Sequence, residues 1–78
     1  MAATSEVVEK AKQLGIEIRI RAGMVASDYR RGNLTRLRRA RKYAMQLARM
    51  AADLAATAFE ATDLLDADIR KLRNEAEW

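Results

Sequence analysis

The sequence predicts an all-α protein, an antiparallel helical hairpin whose second helix is long and carries a heptad pattern. Three observations point there: the chain has no proline, alanine is the commonest of its apolar residues, and apolar residues recur three and four apart over most of the second half. Alanine is the best helix former and proline the strongest breaker. A chain of 78 residues with four aromatic side chains has little with which to build a wide sheet sandwich. One small helical domain covering 1–78 is therefore expected, and no repeat, proline-rich linker or low-complexity tract divides it.

The second helix is the most legible element. From Leu34 to about Arg73, Leu37, Ala40, Ala44, Leu47, Ala51, Leu54, Ala58, Ala61 and Leu65 mark one narrow stripe along a helix. Arg38, Lys42, Gln46, Arg49, Asp53 and Glu60 fall on the opposite side, as a half-buried helix requires. Gly32 and Asn33 supply a helix stop and a turn, with Asn33 or Thr35 as the cap of the new helix. Thr62 and Asp63 offer a second N-cap, so the final stretch reads either as continuous or as a separate short helix.

The first third allows two readings. As a helix, it places Val7, Val8, Ala11, Leu14, Ile18, Ala22, Val25 and Tyr29 on one face, antiparallel to the second arm. As α+β, it places a short strand at 16–21, because Ile16 to Arg21 alternates apolar and charged residues between Gly15 and Gly23. The helix must accept both glycines at about 1 kcal/mol each. A lone strand needs a partner, so that reading requires pairing across a dimer. The order strand, short helix, Gly32-Asn33 turn and helix resembles the ribbon-helix-helix DNA-binding architecture over less than half of the chain. A helix-like segment before the strand and a much longer last helix depart from that pattern, and no residue role is carried over.

Either way, association is expected. So short a chain buries only about 60% of the surface its unfolded form exposes. With neither cysteine nor histidine, disulfides are excluded and an ordinary zinc site nearly so. Ile16, Ile20 and Met24 on the first element, with Leu37, Leu47, Ala51 and Leu54 on the second, are the candidate oligomer interface.

Charge gives the functional expectation. Between Arg19 and Arg49 ten basic residues face the single acid Asp28, a local charge of +9, whereas the segment from Met50 onward carries −4. Arg30, Arg31, Arg36, Arg38, Arg39, Lys42 and Arg49 are the candidate polyanion-binding residues of the Arg-rich segment 30–49, since guanidinium forks engage phosphate oxygens in pairs. Nucleic acid is the expected partner class, with Tyr29 and Tyr43 placed to stack on unpaired bases. The competing reading is a helical protein-protein interaction module, either a homo-oligomeric scaffold or a small regulator or inhibitor of a partner protein. In that reading the basic middle pairs with the acidic final third of the same or another copy.

Other classes find less support. Without histidine or cysteine there is no ordinary general base near neutral pH and no thiolate nucleophile, so the chain reads as not an enzyme. Glu60, Asp63 and Asp66 make too incomplete a shell for a hard metal, and no cofactor is expected. Gly15, Gly23 and Gly32 are too widely spaced for a phosphate-binding loop. The mostly alanine face lacks the tryptophan and phenylalanine that anchor membrane-surface helices. No transmembrane stretch or export signal is legible, which makes cytoplasmic residence the default expectation.

Overall fold

The computed structural model of the chain describes residues 2–76; Met1, Glu77 and Trp78 lie outside the described residues. Two helices account for all of these except Gly32 and Asn33. They are α1, Ala2–Arg31, and α2, Leu34–Ala76, packed on each other as a hairpin. At 1.5 Å per residue α2 alone is about 64 Å long, which matches the longest dimension of a rod measuring 66 × 15 × 15 Å. The radius of gyration is 18.3 Å, against about 11.5 Å for a compact domain of this length.

The turn is built from local chemistry. Gly32 adopts φ 69° and donates its N–H to the Asp28 carbonyl at 3.4 Å, which closes α1 by the left-handed cap that glycine accepts without a Cβ penalty. Asn33 then opens α2. Its side-chain oxygen accepts from the Arg36 N–H at 2.9 Å, and its carbonyl accepts from the Leu37 N–H at 2.9 Å.

The strand at 16–21 is not formed, and among the described residues no strand exists. Ile16 to Arg21 lies in the middle of α1, so the alternation of apolar and charged residues marks two sides of a helix. The ribbon-helix-helix resemblance falls with the strand. The physical reason is the missing partner: a helix satisfies its own backbone groups, whereas an isolated strand in a two-element chain leaves them unpaired.

The packed seam differs in phase from the sequence stripe. On α2 the buried and half-buried positions are Arg36, Ala40, Tyr43, Gln46, Leu47, Met50, Leu54, Thr57, Ala61, Leu64 and Asp68. Ala40, Leu47, Leu54 and Ala61 lie on the seam as expected, but Leu37, Ala44, Ala51, Ala58 and Leu65 sit one step outside it and are exposed. Both sets keep heptad spacing, and the seam takes the set with Tyr43, Met50 and Leu64, which buries more side-chain area per turn than alanines do. On α1 the seam runs through Thr4, Val7, Ala11, Leu14, Ile18, Arg21, Val25 and Asp28. Val8, Ala22 and Tyr29, expected inside, are exposed, and Arg21 and Asp28 take the places of the last two because each finds a polar partner across the seam.

α2 continues through Thr62 without a break. The Thr62 hydroxyl donates to the Ala58 carbonyl at 2.9 Å, as a mid-helix threonine does, and it caps no new helix.

The core is thin. Among the described residues the buried apolar side chains are Ala40 and Ala61, while the buried polar ones are Thr4, Asp28 and Thr57. Arg21 lies level with Gln46 and Asp28 level with Arg39, so a step of seven along α1 matches a step of seven back along α2. The same step brings Ala2 level with Leu65. Past that point α2 has no neighbour, and Ile69 and Leu72 remain 59% and 55% exposed.

Candidate cationic site

The arginine-rich segment divides into two groups. The first surrounds the turn. Asp28 is 1% exposed, and its carboxylate accepts from Arg39 Nε at 2.9 Å and Arg39 Nη2 at 2.7 Å, with Arg36 Nη1 at 3.4 Å. The hydrogen bonds from Arg39 hold the Asp28 carboxyl below the ordinary carboxylate value; burial pushes it the other way, and the charges of Arg39 and Arg36 add to the lowering. The hydrogen bond to Asp28 in turn raises Arg39. Arg36 and Arg39 thus serve the fold, although both were expected at the polyanion surface. Arg21 is also committed, with its Nε donating to Gln46 Oε1 at 3.2 Å.

The second group lies on the outer side of α2. Arg38, Arg41, Lys42, Met45, Gln46 and Arg49 line one shallow open groove. Their spacing of three, four and seven puts them on one helix face, so a single element positions every side chain. Among the described residues no carboxylate comes within ion-pairing distance of Arg38, Arg41, Lys42 or Arg49. Three of the expected residues, Arg38, Lys42 and Arg49, are gathered here. Arg41, absent from the expected set, belongs with them, and its spacing from Arg38 and Lys42 was the available signal.

Arg30 and Arg31 are exposed in the last turn of α1, where positive charge complements the helix dipole. Tyr29 is 72% exposed close to them, whereas Tyr43 is half-buried in the seam and does not line the groove.

A second surface feature runs alongside. Leu34, Leu37, Arg41, Ala44, Ala48, Ala51, Ala55, Ala58, Thr62, Leu65, Ile69 and Leu72 keep the three-four spacing along the whole of α2, and every one is exposed. This is a second apolar stripe, next to the seam and uncovered by α1. Of the residues expected at an oligomer interface, Leu37 and Ala51 belong to it, while Leu47 and Leu54 pack within the hairpin. Ile16, Ile20 and Met24 form an exposed ridge on α1, at 45%, 57% and 41%.

No group of three metal-ligating side chains comes together among the described residues, and no helix there is long and apolar enough to cross a membrane. The chain matches no family model, no curated protein and no solved structure.

Proposed function

We propose that the chain is a non-catalytic binding protein whose outer α2 face docks a nucleic acid or another phosphate-bearing polyanion. The observation that carries this is the groove of Arg38, Arg41, Lys42 and Arg49, four cations within about 16 Å of helix and with no carboxylate beside them. Such a cluster has a local cost. Like charges three and four apart on a helix repel by about 0.2–0.5 kcal/mol per pair. A polyanion relieves this repulsion, and the release of its counterions supplies the affinity.

Binding of fluorescent duplex DNA, single-stranded RNA and inorganic polyphosphate across a salt series tests this reading. The expected result is binding at low salt that falls steeply as salt rises, with a duplex slope changing by about 0.9 for each cation replaced by glutamine. Absence of binding to all three at low salt, or binding unchanged in the fourfold glutamine variant, overturns it. The arms separate base-stacking partners from plain phosphate chains.

One observation favours a protein-facing role alongside: the second apolar stripe of α2 is uncovered along its full length.

A further inference from the structure

We infer that the uncovered stripe of α2 is covered by a second copy of the chain, with the two α2 helices antiparallel about a two-fold axis level with Asp53. This interface does not rest on the polyanion reading. Three features of the stripe select this occupant and this orientation.

The first is size. The stripe runs from Leu34 to Leu72 with its midpoint at Asp53; its ends are bulky and its centre is alanine. Antiparallel packing about that midpoint sets Leu34 against Leu72 of the second copy, Leu37 against Ile69, and Ala51 against Ala55. Helices that cross at an angle are closest at the crossing point and diverge toward their ends. Small residues at the centre and large ones at both ends fit that shape, and the end of α2 beyond α1 gains a neighbour.

Charge is the second feature. On the rim of the stripe the same register sets Arg38 against Asp66 of the second copy and Met45 against the second copy's Phe59, which is 74% exposed in the hairpin. Arg41, the one charged residue of the stripe, falls between Asp66 and Asp68 of the second copy. Among the described residues neither of these aspartates has an ion-pair partner in its own chain. A parallel arrangement would instead place Arg41 against its own counterpart and offer it neither aspartate, so like charge disfavours it.

The third is area. The hairpin exposes 6274 Å² at 8.8 kDa, about 1,500 Å² more than the roughly 4,800 Å² typical of a folded monomer of that mass. A standard interface removes about 800 Å² from each partner. The excess surface is therefore enough to supply one.

The pairing engages Arg38 and Arg41 and leaves Lys42 and Arg49 on the outer side of α2. Replacing Lys42 and Arg49 with glutamine is thus expected to lower polyanion affinity without changing self-association, which separates the two readings.

Sedimentation over a concentration series of the full chain, with far-ultraviolet dichroism to follow helicity, tests the interface. The wild-type chain is expected to dimerise. Arg38→Asp and Asp66→Arg should each raise the dissociation constant about tenfold, because the two-fold axis applies the change at two sites, and the double variant should recover the wild-type value. Ala51→Asp should give a monomer of unchanged helicity, since Ala51 is exposed in the hairpin. In a chain without native cysteine, mixing Leu34→Cys and Leu72→Cys proteins should give a mixed disulfide dimer that neither gives alone. A chain that stays monomeric at high concentration overturns the proposal. So does a dimer indifferent to Ala51→Asp, or one in which the double charge swap is no better than either single change.

Discussion

Asp28 and Arg39 face each other across the hairpin turn through two hydrogen bonds of 2.9 and 2.7 Å, a two-pronged pairing of carboxylate and guanidinium. Charge-assisted pairs of this geometry are both stronger and more directional than neutral hydrogen bonds. Asp28 is also the most deeply buried side chain among the described residues, at 1% exposed. It stands near the C-terminus of α1, where a negative charge is disfavoured by the helix dipole, so the arginines of α2 are what make its position tenable.

Asp28→Asn is expected to lower the thermal midpoint by several degrees, because it removes the charge and leaves Arg36 and Arg39 without their acceptor. Arg39→Lys should also destabilise, since an ammonium cannot reproduce the fork. Thermal unfolding followed by circular dichroism at neutral pH measures both. A midpoint unchanged in Asp28→Asn would show that the clamp contributes nothing to the hairpin.

Acid should act through the same group. The folded carboxyl titrates below its ordinary value, so the unfolded chain binds a proton more readily than the folded one does. Its stabilising contribution is complete above about pH 4 and is lost as the pH falls through the folded value. Denaturant titrations of the wild-type chain and Asp28→Asn from neutral to strongly acidic pH should converge at the acidic end.

Gly15→Ala and Gly23→Ala should each stabilise the protein by about 1 kcal/mol. Both glycines lie inside α1, and an added Cβ would meet nothing within 4 Å at either. The two sites are far enough apart for the gains to add. Gly32→Ala is the opposite case: at φ 69° the alanine is strained by about 1–2 kcal/mol although space is open. Urea unfolding midpoints of the three variants should fall on either side of the wild-type value.

The two groups of arginines should separate by assay. Lys42→Gln with Arg49→Gln is expected to weaken polyanion binding and flatten its salt dependence while leaving the melting temperature near the wild-type value. Arg36→Gln with Arg39→Gln should chiefly lower the melting temperature. Fluorescence anisotropy against salt, paired with thermal melts, reads both effects. Equal loss of binding from the two pairs would remove the distinction.

Much of the hairpin was legible in the chain. The Gly32-Asn33 stop and start follows from residue types with few alternatives: glycine for a left-handed cap, asparagine for an acceptor at a helix start. The heptad rhythm of α2 was equally plain, but its phase was not, because α2 carries apolar residues at two adjacent sets of heptad positions. Sequence reasoning followed the alanines from Ala44 to Ala58 and passed over Tyr43, Met50 and Leu64, which the seam uses. The alternation from Ile16 to Arg21 was compatible with a strand until the absence of any second strand decided against it. In the cationic segment, local charge marked where the arginines are. It could not mark which of them Asp28 holds, since that depends on two helices meeting across a turn.

By itself the sequence determined the long second helix, the position of the turn and the concentration of positive charge, because each depends on backbone propensity or on neighbours close in the chain. Only the tertiary structure decided that 16–21 is helical, which face of α2 lies against α1, that Arg36 and Arg39 pair with Asp28, and that Arg38, Arg41, Lys42 and Arg49 find no carboxylate within the hairpin among the described residues. The reason is physical: helical periodicity defines several equivalent stripes on one rod, and which of them is buried follows from the area and polar pairing that the facing helix offers.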